Sequence, residues 1–130
     1  MYLRLSIREK DNVSGVGMGL FTAMGILNDK HVLLEHESEL YAETLRWFAK
    51  NLPVPKVLSG GRHHNRPGAI SWFKATATEH IHRMRQFAQI LEAHGVAVAQ
   101  HATSRPGRIV HEDEFQIAAI PFRDTFTSTM

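Results

Sequence analysis

Two periodicities alternate along the chain, and the switches between them mark its elements. From Tyr2 to Arg8 the period is two: Leu3, Leu5 and Ile7 fall on one side, Arg4, Ser6 and Arg8 on the other. That is the pattern of a half-buried strand. Asp11 to Gly17 is polar and glycine-rich and reads as a loop. Met18 to Leu27 is apolar almost throughout and predicts a short buried helix, interrupted or ended near Gly25. After a turn at Asn28-Asp29-Lys30 a helical period sets in. Leu34, Tyr41, Leu45, Phe48 and Leu52 share one face, with Leu40 and Trp47 beside them. Glu35, Glu37 and Glu39 near its start and Arg46 and Lys50 near its end suit the helix dipole. Pro53 stops this helix, because the residue before proline avoids helical geometry.

Leu52 to Gly68 holds three prolines and three glycines around Arg62-His63-His64-Asn65-Arg66, which predicts a long exposed loop. Ala69 to Phe73 reads as a buried strand. Thr76 and Glu79 have the spacing of a capping box. Ala77, Ile81, Met84, Ala88 and Leu91 then form an apolar stripe, and Gly95 suits the residue that ends the helix. Val96 to His101 alternates again. The stretch of about 69–101 is therefore a β-α-β unit with parallel strands and a right-handed crossover. Ser104 to Gly107 is a turn, and two C-terminal strands, Arg108–His111 and Phe115–Ile120, flank Glu112-Asp113-Glu114. The expected class is α+β: a single mixed β-sheet with about three helices packed mainly on one face. The expected organisation is one domain over 1–124 and a flexible tail over 125–130.

Composition narrows the function classes. The chain has 130 residues, 43% hydrophobic and 22% charged, which fits one folded domain rather than a disordered chain. It has no cysteine, which removes disulfides, thiolate catalysis and iron–sulfur clusters. Met1 to Lys10 lacks the apolar run of a signal peptide, and no apolar stretch approaches a membrane span. The expected setting is soluble and cytoplasmic, with no membrane partner. A net charge of +2 is weak for nucleic-acid binding.

Several residues invite chemistry. Gly15, Gly17 and Gly19 sit between a strand and a helix, where backbone amides can hold a phosphate. A dinucleotide fingerprint would need glycine at Leu20, and the P-loop lysine is missing, so a tight turn is the expected reading. If a nucleotide-like phosphorylated ligand binds, Arg4, Gly15, Gly17, Arg62 and Arg66 are the candidate ligand-binding residues. His111, Glu112 and Glu114 are the candidate catalytic acid–base groups. His80 and His82 are two apart on a helix, so they point to different faces and cannot chelate one ion together; Glu79 and His82, three apart, could share an ion, but a solvated face is the expected reading for them. No metal site and no cofactor are expected. Trp47 and Trp72 read as core, with Trp47 a candidate anchor if it lies on the flank of its helix.

Arg4 with the acid-x-acid run Glu112-Asp113-Glu114 resembles the sparse arginine and glutamate pattern of ADP-ribosyltransferases, in which the arginine holds the dinucleotide. The Ser-Thr-Ser strand of that pattern is absent here, and a charged turn is the expected reading. Trp72-Phe73-Lys74, Glu79-His80-Ile81, Arg105-Pro106-Gly107 and Glu112-Asp113-Glu114-Phe115-Gln116 together resemble a pattern in small bacterial proteins of unassigned function. That resemblance implies a bacterial or phage origin and one compact domain, and transfers no active site. With no complete catalytic signature, the expected function is a small protein-binding or accessory module, self-association into a homodimer included. The alternatives are a small enzyme or binder of a nucleotide-like ligand, and a nucleic-acid-binding protein using Lys56, Arg62 and Arg66. Whether the chain is an enzyme stays open at this level.

Overall fold

The structure, a computed structural model, describes residues 1–10, 17–54 and 68–122. Its elements are β1 (Tyr2–Lys10), β2 (Gly17–Gly19), α1 (Leu20–Asp29), α2 (Glu35–Asn51), β3 (Ile70–Lys74), α3 (Thr78–Ala93), β4 (Val98–Thr103), β5 (Arg108–Glu112) and β6 (Gln116–Ile120). The class is α+β with one sheet, of order β2-β1-β3-β6-β5, and β4 also pairs with β1. The pairs β1–β2, β1–β3, β3–β6 and β5–β6 are antiparallel. The strand–helix–strand order expected over 69–101 is present as β3, α3 and β4, and both strands take β1 as a partner. No helix among the described residues is long and apolar enough to cross a membrane. The tail 125–130 and most of the loop expected at 52–68 lie outside the described residues.

The chain gathers into two compact units. One comprises Met1–Arg4, Val54–His80 and Gln100–Met130; the other comprises Leu5–Pro53 and Ile81–Ala99. The second unit holds α1, α2 and most of α3. Phe21 of α1 meets Phe48 of α2 edge-on at 5.0 Å and Phe87 of α3 edge-on at 5.8 Å. Tyr41 of α2 reaches Phe87 from the other side at 5.9 Å. Edge-to-face rings contribute about 0.5–1.5 kcal/mol each beyond their area, so Phe21 and Phe87 fix how the three helices meet. Arg83 lays its guanidinium 4.4 Å over the Trp47 ring, which packs the flank of α2 against α3. The α3 stripe of Ala77, Ile81, Met84, Ala88 and Leu91 is buried as its spacing implied.

Four sequence expectations shift in this unit. Gly17–Gly19 is a short strand opposite Lys10 and Ser6 of β1, not the end of a loop and the start of a helix. Helix α1 runs through Gly25, where the missing side chain makes room for the Tyr41 hydroxyl, 3.3 Å from where a Cβ would stand. Leu5, Ser6 and Ile7 are all buried, so the centre of β1 is covered on both faces rather than one. Helix α2 is rotated from the phase its leucines suggest. Glu37, Thr44 and Phe48 are buried, while Leu34 is 58% and Leu45 37% exposed.

The reason for that rotation is a charge. Glu37 Oε1 accepts the Leu34 amide at 2.8 Å and pairs with His94 Nε2 at 2.8 Å, and the residue is 6% exposed. The first contact is half of a capping box; leucine has no acceptor to complete it. His94 is the C-cap of α3. Val96 N–H to Leu91 O and Gly95 N–H to Glu92 O close a Schellman turn, with Gly95 at φ 82°. One carboxylate therefore ties the start of α2 to the end of α3.

In the other unit, Trp72 of β3 and Ile117 and Ala119 of β6 form a buried cluster, with Tyr2 and Ile70 packed on it. Trp72 faces Ile117 across the antiparallel pair. At the start of α3 the Ala77 amide closes a turn onto the Lys74 carbonyl at 2.9 Å. Thr76 lies within that turn and the helix begins at Thr78, one residue later than a Thr76 cap requires. Gly107, at φ 133°, precedes β5. A Cβ there would overlap the Ile120 carbonyl oxygen and stand 2.8 Å from the Pro121 Cα. Gly107→Ala is expected to lower unfolding free energy by about 2–4 kcal/mol, from strain and overlap together. A urea titration reads this as a lower midpoint at unchanged slope; an unchanged midpoint would contradict the packing.

Candidate functional site

The residues expected to work as an acid–base set, His111, Glu112 and Glu114, all belong to the β5–β6 hairpin. Three residues, 113–115, connect its strands. The hairpin is organised by the residue between the two glutamates. Asp113 Oδ1 accepts the Phe115 amide at 2.9 Å and the Gln116 amide at 3.1 Å. Asp113 Oδ2 accepts Gln116 Nε2 at 3.0 Å and pairs with His111 Nε2 at 2.8 Å. The Asp113 amide in turn donates to the Gln116 carbonyl at 3.0 Å. An aspartate side chain that takes the amides two and three residues on mimics a backbone turn.

Strand geometry separates the three predicted groups. Successive side chains point to opposite faces, so His111 and Asp113 can meet while Glu112 cannot join them. Glu112 instead pairs with Lys74 Nζ at 2.6 Å, on a mostly exposed surface where such a bridge contributes little. Glu114 is exposed. The structure therefore brings His111 to Asp113 and leaves Glu112 and Glu114 outside that pair. Burial pushes the Asp113 carboxyl up, but its hydrogen bonds from His111, the Phe115 amide and Gln116 outweigh this. They hold it below its ordinary value of 3.8. Both oxygens already accept two hydrogen bonds each. A carboxylate so engaged orients His111; it has no lone pair left for substrate.

Arg4 of β1, a predicted ligand-binding residue, is half-buried, and burial draws its pKa below the usual arginine value. His101 of β4 is lowered too, first by burial and then by the positive charge of Arg4. Two basic side chains on different strands thus influence one another electrostatically, each partly withdrawn from water. Of the other predicted ligand residues, Gly17 sits in the β1–β2 ladder opposite Lys10. Gly15, Arg62 and Arg66 lie outside the described residues.

Two residues escaped the sequence reading. His80 was given no place in the core stripe; it is 3% exposed, with its ring 4.3 Å from Phe115 and 6.0 Å from Phe73, while Glu79 and His82 lie on the exposed face expected of them. Its spacing to Met84, Phe87 and Leu91, all buried, was the available signal. Glu37 is the other. Its pKa is lowered, first by the His94 hydrogen bond and then by the Leu34 amide. A glutamate three residues after the cap was the available signal. Among the described residues no three His, Asp or Glu side chains converge as a metal site.

These shifts share one sign. His101, Glu37 and Asp113 are all depressed in the folded state, so each stabilises the fold above its unfolded value and loses that contribution as pH falls through the folded one. Stability is expected to decline from about pH 6.5 downward as His101 is lost, and more steeply below about pH 4.5 as the carboxylates protonate. Urea midpoints across pH 3–8 measure this. Asp113→Asn should flatten the acid limb, and an unchanged limb would contradict the hairpin account. Comparison of the chain with protein-family models, curated proteins and solved structures finds no match.

Proposed function

We propose that the chain is a small protein-binding module that works through the outer face of α2. The observation that carries this is the rotation of that helix. Glu37 and Thr44 are turned inward, and Leu34 and Leu45 are left in water. Burying a leucine side chain stabilises by about 1.5–3 kcal/mol, and the isolated chain leaves more than half of that unrealised at Leu34, the cap of α2, and about a third at Leu45. Val32, in the connection from α1, is also exposed. Single exposed leucines are ordinary; repeated ones on one element rimmed by charge are the composition of an interaction surface.

A photo-crosslinking residue at Leu34, introduced in living cells, is expected to capture a discrete protein. Leu34→Lys should remove a crosslink made from Val32 and change folding stability by less than about 0.5 kcal/mol. Unfolding of that variant would mean that Leu34 belongs to the core, and would overturn the reading.

A second reading, a binder of an anionic, phosphorylated ligand, is favoured by the neighbourhood of Arg4 and His101. A ligand present at a hundred times its Kd adds about 2.7 kcal/mol of stability. Thermal melts against inorganic phosphate and a nucleotide panel are expected to shift upward, and Arg4→Met should abolish the shift. A flat panel with the native chain removes this reading.

A further inference from the structure

We infer that the protein which α2 meets is a second copy of this chain, docked antiparallel through α2 about a two-fold axis near Ala42. This rests on the protein-binding reading and names its partner. At 3.6 residues per turn, Leu34, Ser38, Ala42, Leu45 and Ala49 recur along one line of the helix. The line runs between the buried row of Glu37, Thr44 and Phe48 and a charged row facing solvent. The charged row is Glu35 and Glu39 in the first half, Glu43 at the middle, and Arg46 and Lys50 in the second, all exposed. None of these five takes part in an ion pair among the described residues.

The order of those charges selects a partner. In an antiparallel pair, positions equally far from the axis on opposite sides face one another. Glu39 and Arg46 are equidistant from the Ala42–Glu43 bond, and so are Glu35 and Lys50. One axis therefore sets Glu39 against Arg46 and Glu35 against Lys50 of the other copy, each contact occurring twice by symmetry, so four attractive contacts stand against the single repulsion of the two Glu43 side chains beside the axis. A parallel arrangement would set like charges together. Near the axis the line carries Ala42, small enough for close helix approach. Leu34 at the helix start comes over the last turn of the other copy's α2, just beyond the small Ala49 where the line ends. The seventeen residues of α2 span only about 25 Å. A single helix pair of that length falls below the standard interface size, so a dissociation constant of micromolar order is expected, weakening with salt.

Sedimentation of the full chain over a concentration series tests this, with circular dichroism confirming the fold of each variant. The native chain is expected to dimerise reversibly. Arg46→Glu alone and Glu39→Arg alone should each weaken the dimer about tenfold, near 1.4 kcal/mol. Mixing these two variants should restore native-like association, because each then presents the charge the other lacks. A chain that stays monomeric into the hundreds of micromolar overturns the inference, and so does a dimer indifferent to both reversals or a mixture that fails to recover. A monomeric chain whose Leu34 crosslinks to a different protein sinks self-pairing and leaves the binding face standing. A monomeric chain with no crosslink at Leu34 sinks both.

Discussion

The buried carboxylate of Glu37 is the constraint on which the helical unit depends. It accepts the amide at the start of α2 and holds the imidazole at the end of α3. A carboxylate withdrawn from water must be hydrogen-bonded, and this one has donors from both helices. Turning Glu37 inward fixes the rotation of α2, because the residues one and two turns on must then be Tyr41, Thr44 and Phe48. Those residues meet the aromatic set of Phe21 and Phe87, so the polar tie and the ring contacts agree. The cost is carried at the other side of the helix. Leu34 and Leu45 cannot also face in, and they remain in solvent. The exposure of Leu34 and Leu45 is thus a consequence of the Glu37–His94 tie.

In the sheet unit a second carboxylate plays a comparable part on a smaller scale. Asp113 closes the β5–β6 hairpin with four accepted hydrogen bonds and holds His111 in place. A run of three acidic residues looks like catalytic material in a sequence, yet the central one is consumed by the turn and one flank is a surface ion pair with Lys74. The hairpin is thereby a rigid element, pinned further at its other end by the glycine that lets the chain pass the Ile120 carbonyl.

By itself the sequence determined the elements and the class. Alternation in Tyr2–Arg8 and after Gly95, the stripe from Ala77 to Leu91, and the stops at Pro53 and Gly95 are local signals, set by backbone geometry and side-chain periodicity, and each element formed where they stand. Even Gly107 was marked as a turn. Only the tertiary structure decided which face of α2 turned inward, that Gly17–Gly19 joined β1 as a strand, that His80 was buried between phenylalanines, and that Asp113 rather than its neighbours was the centre of the acidic run. The physical reason is common to all four. A period gives the spacing of contacts along one element, whereas the choice among faces is made by partners far away in sequence. For Glu37 that partner is His94, and no pattern within α2 announces it.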